Sequence, residues 1–99
     1  MKSGYRIFWT EHASSELDQT IQYLQTEFSA KEISKLLIKL EETLELISIN
    51  PKIFPISDKK GIRKAILLKY NSIYYREINY TVEILSFFFN RQNLTKRKI

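Results

Sequence analysis

Ninety-nine residues, 43% of them apolar and 27% charged, make one globular domain and exclude both a disordered chain and a bilayer-spanning run of about 20 apolar residues. The absence of Cys excludes disulfides, a thiol nucleophile and Cys-ligated zinc, and the lone His12 leaves a His-based triad or a multi-histidine site without parts, so neither metal nor cofactor is expected. Residues 1–50 carry five basic and eight acidic side chains and residues 51–99 carry eleven and three, so within a net charge of +5 the second half is the part suited to a polyanion or an acidic partner.

In chain order, Tyr5-Arg6-Ile7-Phe8-Trp9 is short, aromatic and β-branched, which predicts a strand, and its largely apolar faces place it inside a sheet. Met1–Arg6 is followed by only three apolar residues, which does not read as a signal peptide, so a cytoplasmic location is expected. Thr10 is the N-cap of an amphipathic helix from Glu11 to about Gln25, on which Ala13, Leu17, Thr20, Ile21 and Leu24 recur at helical spacing. Ser29 and Glu32 form a capping-box pair ahead of a second helix, Ala30 to about Ile49. Its apolar stripe is Ile33, Leu37, Leu40, Leu44 and Ile47, widened by Leu36, and Asn50-Pro51 ends it because proline disfavours helical geometry in the residue before it.

Lys52 to Lys60 reads as a loop. Three strands follow, Arg63–Lys69, Ile73–Ile78 and Val82–Phe89, joined by turns at Tyr70-Asn71-Ser72 and Asn79-Tyr80. Residues 94–99 read as a flexible basic tail. The order is therefore β-α-α-β-β-β in a single domain over 1–99. The fold class expected is α+β, a four-stranded antiparallel sheet with a helical hairpin on one face and the other face open.

Several of these segments together resemble the RelE/ParE toxin superfamily. They are Tyr5-Arg6-Ile7-Phe8-Trp9-Thr10 with Ala13, Leu17, Ile21, Tyr23 and Leu24; the second helix ending at Leu46 and Asn50-Pro51; Gly61-Ile62-Arg63-Lys64; Ile73-Tyr74-Tyr75-Arg76; Ile84-Leu85; and Asn90-Arg91-Gln92-Asn93. The resemblance implies the toxin of a type II toxin–antitoxin (plasmid-stabilisation) module, silenced by a cognate antitoxin, either as a homodimer or in a hetero-oligomer with it, and with no membrane role. It also implies two mechanisms. ParE-like members poison DNA gyrase, whereas RelE-like members are metal-free endoribonucleases that cut mRNA on the ribosome.

Metal-free RNA cleavage needs positive charge on the phosphorane and groups that move protons at the 2′- and 5′-oxygens. Arginine supplies the charge because its planar fork matches phosphate oxygens. Arg63 and Arg91 are the catalytic candidates under that mechanism, Arg63 by its match to the superfamily's arginine near the start of the second strand. Lys60, Lys64, Arg76, Lys96, Arg97 and Lys98 are candidates for contact with nucleic acid or another target. The region at and just after the last strand, Phe87-Phe88-Phe89-Asn90-Arg91-Gln92-Asn93-Leu94-Thr95, has neither the Tyr nor the His that RelE-like nucleases carry there, so a proton-transfer group would have to come from elsewhere, such as Tyr70 or Tyr75. That gap tilts the reading slightly toward the ParE-like mechanism and leaves the nuclease and an inactive, partner-binding homologue as alternatives. Tyr74, Tyr75 and Tyr80 suit base stacking or cross-strand pairing. Phe87, Phe88 and Phe89 cannot all face one side of a strand, and Phe87 and Phe89 are the candidates for antitoxin contact.

Overall fold

The structure, a computed structural model, describes residues 4–57, 61–68 and 71–89. Its elements are β1 (Arg6–Trp9), α1 (Glu11–Glu27), α2 (Ala30–Ile49), β2 (Arg63–Ile66), β3 (Asn71–Ile78) and β4 (Thr81–Phe89). Lys60, Tyr70, Arg91 and the tail with Lys96, Arg97 and Lys98 lie outside the described residues.

Thr10 joins the two layers. Its side-chain oxygen accepts from the Ala13 N–H at 3.2 Å, capping α1, and donates to the Ile84 carbonyl of β4 at 2.8 Å. Ser29 occupies the N-cap of α2 without a side-chain cap, so the expected capping box is replaced by a backbone bond from Glu32 N–H to the Ser29 carbonyl at 3.0 Å. At the other end of α2 the Asn50 side chain accepts from Lys52 N–H at 3.2 Å, a local turn that starts the chain away from the helix.

The α+β class holds, with the sheet order β1-β4-β3-β2. The sheet is mixed and not purely antiparallel: β1 runs parallel to β4, with Arg6 opposite Thr81 and Trp9 opposite Ile84. The expectation was an antiparallel sheet throughout. Instead α1 continues along β4 beyond the end of β1, where Glu16 reaches Ser86 and Phe87 and Tyr23 packs on Phe89. Helix α2 then returns to the start of β1, where Tyr5 N–H donates to the Ser48 carbonyl at 2.7 Å. One out-and-back excursion thus delivers the chain to the end from which β1 set out, and β4 comes to lie parallel to β1. Gly4 permits this close approach, since a Cβ there would sit 2.9 Å from Ser48 Oγ.

It follows that β1 is an edge strand and not an inner one, with Phe8 half exposed. The other edge, β2, is covered by the chain before it: Lys64 N–H donates to the Pro55 carbonyl and Ser57 N–H to the Ile62 carbonyl.

Beneath the helices the core contains Ala13, Leu24, Leu36, Leu40, Ile47, Ala65, Leu67, Ile73, Tyr75, Val82, Ile84 and Phe87. Leu17, Ile21, Ile33 and Leu44 are half-buried. The buried line of α2 is rotated from the expected one: Leu36 is 1% exposed and Leu37 42%. Thr43 shares the line at 3% exposure, so the true stripe is 36-40-43-47. A register shift between Tyr74 and Tyr75 leaves Leu85 as an extra residue in β4. Before it Val82 and Ile84 point to the helices, and after it Phe87 does, so the bulge changes which parity of β4 enters the core.

The β3–β4 turn has positive φ at both Asn79 (48°) and Tyr80 (60°), the mirror-image geometry suited to a twisted hairpin. A tyrosine in this left-handed conformation costs on the order of 1–3 kcal/mol.

The rotated stripe makes a direct prediction. Leu36→Ala should lower unfolding free energy by about 2–5 kcal/mol, the range for a buried leucine, whereas Leu37→Ala should lower it by less than about 1 kcal/mol. Urea denaturation of the two variants measures both.

Candidate functional site

The sheet has two faces with different chemistry. On the helix side Arg63 stands opposite Tyr75 across β2 and β3. The Arg63 guanidinium Nη1 donates to the Phe54 carbonyl at 2.8 Å. The hydroxyl of fully buried Tyr75 donates to the Pro51 carbonyl, also at 2.8 Å. Together they hold the segment after α2 against the sheet. Burial is the main cause that raises the Tyr75 pKa above its ordinary 10.0, while the Phe54 backbone and the Arg63 charge pull it the other way. Tyr75 is therefore a neutral donor inside the protein and is out of reach of a substrate, which corrects its candidacy as the proton-transfer group.

On the open face, register pairs align Phe8, Glu83 and Arg76 in one row across β1, β4 and β3, and Lys64, Tyr74 and Ser86 in another across β2, β3 and β4. Arg76 Nε meets Glu83 Oε1 at 2.8 Å, so its charge is already matched across the strands. The Lys64 ammonium lies 5.6 Å from the Tyr74 ring centroid. Ile66 and Phe88 flank Ser72 on this face, exposed by 63% and 47%.

Of the site residues anticipated in sequence, Lys64 and Arg76 thus share the open face, while Arg63 lies on the opposite face beneath a loop. Phe87 is a core residue at 1% exposure, which removes it from any partner contact; Phe88 is the exposed member of the triplet. Phe89 is half-buried and stands at the mouth of a groove.

That groove, of about 520 Å³, opens between the end of α1, the first half of α2 and the ends of β3 and β4. Leu24, Phe28, Leu36, Ile38, Leu68 and Phe89 give it an apolar lining, with Glu32, Lys35, Lys39 and Glu42 of α2 at its rim. Tyr23 stands beside it, its ring centroid 6.3 Å from that of Phe28 and 5.4 Å from that of Phe89. Asn71 also lines it and is 6% exposed, and its Nδ2 has no hydrogen-bond partner among the described residues. An unpaired buried donor is costly, so a ligand offering an acceptor here would gain more than its contact area alone. Sequence reasoning assigned Asn71 to a turn and missed the groove, which is built by residues far apart in the chain. Among the described residues no group of three His, Asp or Glu side chains is placed to hold a metal ion, and no helix is long and apolar enough to cross a membrane.

No protein-family model and no curated protein matches the chain. Among solved structures it is similar to a chain of the chromosomal ParDE TA (toxin–antitoxin) system from P. aeruginosa. The TM-score is 0.72 at 17% identity, and the match covers 87% of this chain and 96% of that one. The likeness is one of fold, and it agrees with the resemblance to the RelE/ParE superfamily drawn from the sequence segments.

The Tyr75 hydroxyl carries a pH prediction. The unfolded chain releases this proton near 10.0 while the folded chain holds it, so Tyr75 favours folding fully below that pH and less as pH climbs above it. Tyr75→Phe should lower stability at neutral pH by about 1–3 kcal/mol, through the stranded Pro51 carbonyl. It should also lose less further stability between neutral pH and about pH 11 than the parent protein. Denaturation midpoints across that range measure both effects.

Proposed function

We propose that this protein is the toxin of a type II toxin–antitoxin module, acting by binding its target in the ParE-like manner and silenced by an antitoxin that fills the groove beside Phe89. The observation that carries the reading is the near end-to-end likeness in fold to a chain of a ParDE system. The groove supports the antitoxin's part in it. It is apolar, of a size that accepts several bulky side chains, and floored by a donor that a peptide carbonyl would satisfy. DNA gyrase is the target class proposed.

The placement of Arg63 favours binding over cleavage. Its guanidinium bonds the Phe54 carbonyl, and Tyr75 is sealed in the core, so neither stands ready on the open face to stabilise or protonate a phosphorane. The second reading, a RelE-like mRNA endoribonuclease, draws on a different observation: Lys64 over Tyr74 on the open face is a pairing that suits a stacked base beside a phosphate. In that reading Arg91, Lys60, Lys96, Arg97 and Lys98, which lie outside the described residues, stay candidates for contact with the RNA.

Induced expression without antitoxin should arrest growth. The reading then predicts DNA breaks and filamentous cells with messages intact, followed by sequencing of 5′ ends and by microscopy. Cuts at defined codon positions would instead establish the nuclease reading. A neighbouring gene product that rescues growth should bind the purified protein. Ile38→Glu, a change at a 57%-exposed groove residue, should weaken that binding at least about tenfold without unfolding the protein.

A further inference from the structure

The corner where β1 begins and β3 turns into β4 is far from the groove and joins features that the toxin reading does not use. Tyr80 is 79% exposed, the most exposed of the large apolar or aromatic side chains described, yet it occupies the second left-handed position of a two-residue turn. Glycine or asparagine meets that geometry at lower cost. A strained and solvent-facing tyrosine gains little from burial. Its ring lies 5.9 Å from that of Tyr5, the planes inclined at 33°. Burial raises the Tyr5 pKa above the ordinary tyrosine value, and the Glu77 carboxylate, hydrogen-bonded with the Tyr5 hydroxyl, raises it further.

Among the described residues Glu77 forms no ion pair, the only two being His12–Glu16 and Arg76–Glu83. The same corner receives the C-terminal end of α2, through the bond from Tyr5 N–H to the Ser48 carbonyl. That helix end has no basic residue in its last turn, so its partial negative charge is unopposed on its own element. Two aromatic faces, the Glu77 carboxylate with its Tyr5 hydrogen bond, and a helix C-terminus thus meet at this corner.

We infer that the Tyr5–Tyr80–Glu77 corner is a docking site for an arginine side chain of a protein partner. Aromatic faces attract cations, and the planar guanidinium stacks on a ring in a way that an ammonium does not. With its plane on the open face of Tyr80, its N–H groups can reach the Glu77 carboxylate in a charge-assisted bond. The turn holds the Tyr80 ring out into solvent for this contact, which accounts for a tyrosine where the backbone favours glycine. The inference does not depend on the toxin reading.

The test uses the full chain and N-acetyl-arginine amide as the probe, followed by NMR of the tyrosine ring protons, with N-acetyl-lysine amide as comparison. The arginine probe should produce saturable shifts at Tyr5 and Tyr80, larger than those from the lysine probe. Tyr80→Phe should keep the response, whereas Tyr80→Gly and Glu77→Gln should lose it. Tyr80→Gly should melt at the same temperature as the parent or higher, because the turn is relaxed. The inference is overturned if the shifts fail to saturate, if lysine matches arginine, or if the response survives Tyr80→Gly. A clear fall in melting temperature for Tyr80→Gly would also overturn it, showing that the ring braces the hairpin.

Discussion

Two hydrogen bonds, from the Tyr75 hydroxyl to the Pro51 carbonyl and from Arg63 to the Phe54 carbonyl, set how the helical layer connects to the sheet. Helix α2 ends beside the start of β1, at one edge of the sheet, and the chain must next enter β2 at the other edge. The segment that makes this crossing carries polar backbone over an apolar core, and its carbonyls need partners there. Tyr75, from the central strand β3, and Arg63, from the edge strand β2, provide them. With the segment held, Pro55 and Ser57 can pair along the outer edge of β2, which closes an edge that would otherwise template association.

The other organising feature is the single extra residue in β4. Without it Ser86 and Phe88 would continue the inward parity of Val82 and Ile84, and the aromatic side chains of Phe87 and Phe89 would face solvent. The bulge sends Phe87 into the core, sets Phe89 at the groove beside Tyr23, and leaves Phe88 on the open face. Beyond the end of β1 this stretch of β4 has no strand neighbour on one side. The Glu16 carboxylate substitutes there, accepting from the Phe87 N–H and the Ser86 hydroxyl, each at 2.9 Å. One carboxylate therefore locks α1 to the sheet and satisfies a backbone donor that the short β1 cannot reach.

Much of this was legible in the sequence. The span of α2, the Thr10 cap and the Asn79-Tyr80 turn follow from local chemistry, which periodicity and turn residues record. The direction of α1 relative to β1 does not, because it depends on packing between residues some 70 positions apart, such as Glu16 with Ser86. That one direction accounts for the parallel β1–β4 pair and for the groove where the end of α1 runs past β1. The choice of Leu36 over Leu37 turned on a rotation of α2 that two adjacent leucines leave undetermined. At the candidate site, residue type made Lys64, Arg76 and Arg63 candidates without a face for any of them; only the strand register puts the first two on the open face and Arg63 on the opposite one, where its partner is a loop carbonyl.

The fold thus uses its most suggestive arginine for architecture, which supports the proposal that the protein acts by binding its target. Arg63→Ala tests it most directly, by measuring urea denaturation and growth arrest on the same variant. The account predicts a lower denaturation midpoint, from the stranded Phe54 carbonyl, with arrest reduced only as far as the folded fraction falls and messages intact throughout. An unchanged midpoint together with lost arrest and lost message cleavage would contradict it and return Arg63 to the chemistry of a nuclease.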